Sequence, residues 1–163
     1  MKTLLIVQHS RTGGARQMAE AAARGAAGEA GVRVRLRGAA ETVADDLLAA
    51  DGLLFAAPEN LAGLSGPMKD FFDRCYYGAL GRLNGRAYAS LICAGSDGSG
   101  AARQIARIAT GWRLRMIAAP LIVITHAQTP EAIGAPKTLA AADLARCTDL
   151  GAAMAAGLVL GIF

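Results

Sequence analysis

Three short loops in this chain gather residue types that hold anionic or planar ligands. The first is His9-Ser10-Arg11-Thr12-Gly13-Gly14-Ala15-Arg16. It follows the apolar run Thr3-Leu-Leu-Ile-Val7 and precedes a helix-forming stretch from Gln17 to Glu29. A buried strand that feeds a glycine-bearing turn and then a helix N-terminus makes an anion pocket, because free backbone N–H groups and the positive end of the helix dipole converge there. Ser10 and Thr12 add two hydroxyls, and a phosphate is the natural guest. The second loop, Pro58-Glu59-Asn60-Leu61-Ala62-Gly63-Leu64-Ser65-Gly66, is long and polar at its start. The third, Ala94-Gly95-Ser96-Asp97-Gly98-Ser99-Gly100, lets backbone approach a ligand closely, because glycine carries no side chain. Each loop also has a plain reading: Ser10 or Thr12 as a helix cap, a simple strand-to-helix connection, and Asp97 as a cap.

The remaining reactive residues form no constellation. His126 lies in Thr125-His126-Ala127, where it could give a proton to a reduced substrate or sit in water; His9 reads as a wall of the first loop. Glu59 and Asp97 could bond the edges of a ligand or be solvated. Asp70 and Asp73, three apart on a helix and followed by Arg74, read as a solvated face. Trp112 reads as packing. A phosphoacceptor domain would need acidic residues after the first strand and an aspartate ending the third; Gln8-His9 and Ala57-Pro58 stand there instead. The Gly-x-Gly-x-x-Gly pattern of dinucleotide binding is absent after the first strand.

With 163 residues the chain is expected to be one domain, 1–163, large enough to bury a core and one cofactor cleft. No apolar run reaches the ~20 residues of a membrane-spanning helix, and the start lacks a signal-peptide pattern. Cys75, Cys93 and Cys147 are scattered, odd in number and in no metal-binding spacing, which suits reduced thiols in a cytoplasm. The net charge of +4 favours anionic small molecules. The arginines are spread along the chain and aromatics are few, so nucleic-acid binding is not expected.

Strand-like and helix-like stretches alternate around the three loops. Thr3–Val7 reads as a strand, and Thr12 or Gly13 to Glu29 as a helix. Val32 to Arg37 alternates apolar and basic residues, the pattern of a half-exposed edge strand. Glu41–Ala50 reads as a short helix with Asp45 and Asp46 facing out. Gly52–Ala57 reads as a central strand stopped by Pro58. A helix begins at Ser65 or Gly66 with Pro67 early. Arg86–Cys93 is a fourth strand, and Gly98–Thr110 a helix. A fifth strand within Arg113–Thr125 is interrupted or shifted by Pro120, and a last helix runs from Thr138 to about Leu160. Such alternation implies a parallel sheet with helices on both faces, and ligands at the carboxyl ends of its strands where strand order reverses.

Ser10-Arg11-Thr12-Gly13-Gly14-Ala15 resembles the flavodoxin phosphate loop, Ser/Thr-x-Thr-Gly-x-Thr. Pro58 to Asp73, with Gly66-Pro67-Met68-Lys69-Asp70-Phe71 as a Gly-x-x-Lys-x-Phe helix start, looks like the matching segment of flavodoxin-like NAD(P)H-dependent quinone reductases of the tryptophan-repressor-binding-protein type. Leu83-Asn84-Gly85-Arg86 before an apolar strand is similar too, so the resemblance covers most of the chain. It implies an α/β flavodoxin-like fold, a doubly wound five-stranded parallel sheet in the order 2-1-3-4-5. It also implies FMN as cofactor, with the phosphate against Ser10, Arg11, Thr12, Gly13, Gly14 and Ala15. The ring would then lie between Pro58, Glu59, Asn60, Leu61, Ala62, Gly63 and Gly95, Ser96, Asp97, Gly98. Two departures stand out: Ala15 replaces the usual threonine, and Leu61 stands where an aromatic is expected. The implied activity is hydride transfer from NAD(P)H through FMN to a quinone-like small electron acceptor. The alternatives are a one-electron carrier and an interaction module that binds flavin weakly or not at all. The uncharged stretch Ala152–Phe163 suggests a homo-oligomer.

Overall fold

The computed structural model describes residues 1–163. Its elements run β1 (Lys2–Gln8), α1 (Gly14–Ala27), β2 (Val32–Gly38), α2 (Ala44–Leu48), β3 (Gly52–Asn60), β4 (Gly63–Leu64), α3 (Gly66–Ala79), β5 (Ala87–Ala94), α4 (Ser99–Gly111), β6 (Arg115–Met116), β7 (Leu121–Ile124), α5 (Pro130–Gly134) and α6 (Ala141–Leu160). The parallel sheet has the order β2-β1-β3-β5, and β6 and β7 both pair with β5 on its far side. This is the five-position order read from the sequence, with the fifth position split in two around Pro120. Proline offers no N–H to the ladder, so pairing stops after Met116 and resumes at Leu121.

The runs read as strands are apolar on both faces because helices cover both. One face carries α2, α3 and α4 around an aromatic cluster in which the Phe55 and Phe72 centroids lie 5.0 Å apart and those of Phe72 and Trp112 5.4 Å apart. The other carries α1 and α6 over small aliphatic residues. There α1 and α6 meet backbone to backbone: a Cβ on Gly151 would overlap the Ala22 carbonyl, and one on Gly25 the Thr148 carbonyl. Strand order reverses between β1 and β3, so their C-terminal loops part at the switch point.

Several expected boundaries shift. β3 does not stop at Pro58; it continues to Asn60, leaving β5 to form a two-pair antiparallel hairpin with β4. The final helix starts at Ala141, and the preceding stretch forms the separate short helix α5, begun by the Thr129 cap and Pro130. Asp46 does not face out. It is buried, and its Oδ1 accepts from Arg35 (2.6 Å) and Arg37 (3.0 Å), so two arginines of the half-exposed strand β2 meet α2. Asp70 and Asp73 do form exposed ion pairs, with Arg74 and Lys69, and Trp112 is buried packing. No helix is long and apolar enough to cross a membrane.

Candidate functional site

At the end of β1, the His9 N–H donates to the Ala56 carbonyl at 3.0 Å, pinning the first loop to β3. The Ser10 hydroxyl oxygen accepts the Gly13 N–H at 3.0 Å, and Gly13 takes a left-handed φ of 93° that turns the chain into α1. The N–H groups of Ser10, Arg11, Thr12, Gly14, Ala15 and Arg16 then have no acceptor in the protein, and no side chain caps the helix. The Thr12 hydroxyl is also unpartnered. Backbone donors clustered at the positive end of a helix suit an anion. Ser10 therefore shapes the loop and keeps its own O–H to give. Ala15 buries its methyl group in the core on the α1 side.

Beneath this loop the packing is close. A Cβ on Gly14 would overlap the Cys93 sulfur at the end of β5. Burial raises the Cys93 thiol pKa against the opposing charge of Lys137, and burial pushes Cys75 and Cys147 up to about 11. All three cysteines are thus buried neutral thiols, without disulfides. No group of three or more His, Cys, Asp or Glu side chains gathers at a metal-like site.

The second loop is the β3–β4 hairpin. Its tip residues, Leu61 and Ala62, have φ of 51° and 61°, the left-handed pair of a tight two-residue turn usually given to asparagine and glycine. Leu61 is fully exposed at the tip. The hairpin is held against α4. Glu59 accepts the Gly98 N–H (2.9 Å) and the Ala101 N–H (3.0 Å), and the Gln104 side chain accepts the Leu64 N–H (2.8 Å). The Ala62 carbonyl occupies the space a Cβ on Gly100 would need. Glu59, not Asp97, thus caps α4; Asp97 is exposed and accepts from the Ser99 hydroxyl at 2.6 Å. A left-handed Gly98, φ 84°, ends the third loop.

An open cleft joins the three loops, lined by Thr12, by Pro58, Glu59 and Asn60, and by Cys93, Ala94 and Gly95. Arg11, Gly13, Gly14, Ala15, Leu61, Ala62, Gly63, Ser96, Asp97 and Gly98 stand outside that lining, and Ser10 lines a separate cavity with His9 and Arg16. A fourth wall was not expected from the sequence. Thr125, Ala127, Ile133 and Lys137, on the strap between β7 and α6, close the cleft's far side. The strap is clamped to the first loop. The Lys137 N–H donates to the Thr12 carbonyl at 2.7 Å, and the Gln17 side chain bridges the Lys137 carbonyl (2.6 Å) and the Leu139 N–H (3.2 Å). The Thr129-Pro130 pair, a cap followed by a first-turn proline, was the available sign of α5. His126 is not in the cleft lining. His9 faces a separate cavity of about 330 Å³ beside the C-terminal ends of β1 and β2. Its Nδ1 lies 2.9 Å from the buried Ser65 hydroxyl, and burial, then the nearby Arg11 charge, lowers its pKa and favours the neutral ring.

This arrangement fits a phosphate ester that carries a planar ring. The free backbone donors of the first loop suit the phosphate, and Ile133 is an exposed aliphatic side chain in the cleft lining. No aromatic lines the cleft.

The comparisons with known proteins agree. Residues 33–129 match the model of the NADPH-dependent FMN reductase family. The chain is 35% identical over 100 residues to a flavodoxin of Aquifex aeolicus, covering 61% of this chain and 54% of that protein. It is 32% identical over 94 residues to an NAD(P)H dehydrogenase (quinone) of Acidithiobacillus ferrooxidans, covering 45% of this chain and 47% of that one. The chain thus spans about half the length of these curated relatives. Among solved structures, a flavodoxin from the domain Archaea superposes with a TM-score of 0.78 at 20% identity, over 96% of this chain and 99% of that one. A WrbA-like flavodoxin from Agrobacterium tumefaciens gives 0.77 at 17% identity, over 98% and 99%. These two likenesses establish the flavodoxin-like fold, and with the family match over more than half its length the chain belongs to the NADPH-dependent FMN reductase family.

Proposed function

We propose that this chain, as one domain spanning 1–163, is an FMN-dependent oxidoreductase that takes a hydride from NAD(P)H and passes electrons to a quinone-like acceptor. The observation that carries the cofactor is the first loop, where six backbone N–H groups without protein acceptors converge beside the switch point. Hydride uptake from a nicotinamide and two-electron delivery to an acceptor are chemistry the bound flavin supplies. The protein's own residues hold, orient and shield. Ser10 and Thr12 donate to the phosphate alongside the loop backbone. Glu59 has no acid–base part, because both its oxygens are engaged on α4; it fixes the second loop against the third. Pro58, Asn60, Ala94 and Gly95 line the cleft and would hold the ring.

The lack of an aromatic in the cleft lining favours the reductase over the one-electron carrier. A nicotinamide or quinone must stack at near-attack distance, and the exposed aliphatic tip at Leu61 leaves that approach free. The net charge of +4 further suits a phosphate-bearing dinucleotide. The visible spectrum of the protein with and without added FMN tests cofactor binding. Quenching and a band shift on binding support the reading, and a spectrum identical to free FMN overturns it in favour of an interaction module.

A further inference from the structure

We propose that Lys137 is the side-chain cation that answers the charge of the ligand's phosphate, and so sets this chain's preference for FMN over riboflavin; this rests on the FMN reading above. Three features carry it. Lys137 lines the same cleft as Thr12, whereas Arg16 faces the separate cavity beside β2 and is paired, at 3.9 Å, with Glu20. Its backbone is fixed to the first loop through the Thr12 carbonyl, and its Cβ lies 3.7 Å from where a Cβ on Gly14, the first residue of α1, would stand.

Its charge is uncompensated. The Lys137 ammonium donates to the carbonyls of Ala132 (2.8 Å), Ile133 (2.9 Å) and Ala135 (2.6 Å), and no carboxylate pairs with it. Three carbonyl dipoles hold the ammonium in place but leave its unit charge whole. Beneath Gly14, burial raises the Cys93 thiol pKa and the Lys137 charge works against that rise. A fixed cation at the rim of a half-enclosed cleft attracts a dianion more strongly than a mobile surface lysine, since no side-chain freedom is lost on binding.

The strap role and the charge role of Lys137 are separable. Fluorescence titrations of the full chain with FMN and with riboflavin, at low and at physiological salt, compare the unmodified protein with Lys137→Gln and Lys137→Arg. Lys137→Gln is expected to weaken FMN at least tenfold at low salt and riboflavin no more than about twofold. It should also flatten the salt dependence of FMN binding. Lys137→Arg, which keeps the charge, is expected to retain most of the FMN preference. Equal weakening of both ligands by Lys137→Gln, or loss of the FMN preference in Lys137→Arg, would show that the residue only anchors the strap and would overturn the inference. If Lys137→Gln fails to fold, an FMN affinity of the unmodified protein that does not change with salt overturns it as well. Absence of FMN binding by the unmodified protein overturns the functional reading itself.

Discussion

Gly14→Ala is expected to damage the first loop through a single contact, and Cys93→Ala to repair it. The added methyl would overlap the Cys93 sulfur and stand 3.4 Å from its Cβ and 3.7 Å from the Lys137 Cβ. Neither backbone can yield. Cys93 is laddered to Pro58 on one side and Val123 on the other, and Gly14 follows the left-handed Gly13 whose N–H is held by Ser10. Overpacking a filled site costs about 1–3 kcal/mol, and alanine's better helix propensity returns at most about 1. The net is a loss of up to about 3 kcal/mol, and each kcal/mol lowers Tm by roughly 2–4 °C in a domain of this size. Cys93→Ala alone is expected to cost about 1 kcal/mol for the vacated sulfur. In the double variant the new methyl fills that vacancy, so the two changes should be non-additive by about 1 kcal/mol or more, with FMN affinity recovering in parallel. Thermal unfolding followed by circular dichroism, with flavin titration of each variant, reads both. Additive destabilisation, or a Gly14→Ala protein as stable as the parent, would refute the contact as the constraint on this loop.

Ser10→Ala/Thr12→Ala should weaken FMN far more than riboflavin, by the phosphate role proposed for their hydroxyls; equal weakening in a titration would remove them from that role. Glu59→Ala should cost about 2 kcal/mol in chemical denaturation by uncapping α4, with Glu59→Gln intermediate; no loss would mean water replaces the carboxylate. Asp46 is pushed up by burial but pulled down further by the Val43 N–H and by Arg35 and Arg37, so its folded pKa lies below the ordinary value. Its stabilisation is therefore present above about pH 4 and lost as pH falls through the lower folded value, and Asp46→Asn should flatten that acid limb of the stability–pH curve. Leu160 and Ile162 are 71% and 62% exposed near the end of α6, consistent with the homo-oligomer proposed for this chain; a monomer by light scattering at micromolar concentration would contradict it.

The sheet was legible because β1, β3 and β5 are short apolar runs, and the first loop because its polar and glycine residues sit between strand and helix. What escaped the sequence depended on distant partners or on an atypical turn. Leu61-Ala62 adopts a left-handed pair without the asparagine or glycine that signals it, so the β3–β4 hairpin read as a plain loop. Glu59 read as a ligand contact or a solvated residue because its partners, Gly98 and Ala101, lie about forty residues on. Asp46 looked exposed because the arginines that neutralise it belong to a strand. Lys137 is brought to the first loop by contacts with Thr12 and Gln17, more than a hundred residues away. Thr12, Pro58, Glu59, Asn60 and Gly95 of the predicted loops do line the cleft, and the strap on its far side was not read from the sequence, since only tertiary packing puts it there.

Anaerobic addition of NADPH or NADH to the FMN-loaded protein separates the reductase from the electron carrier. The visible flavin absorbance is expected to bleach on adding one equivalent of nicotinamide and to return on adding a quinone. Bound flavin that stays oxidised with either nicotinamide, yet bleaches on photoreduction, would contradict the reductase and leave an electron carrier in its place.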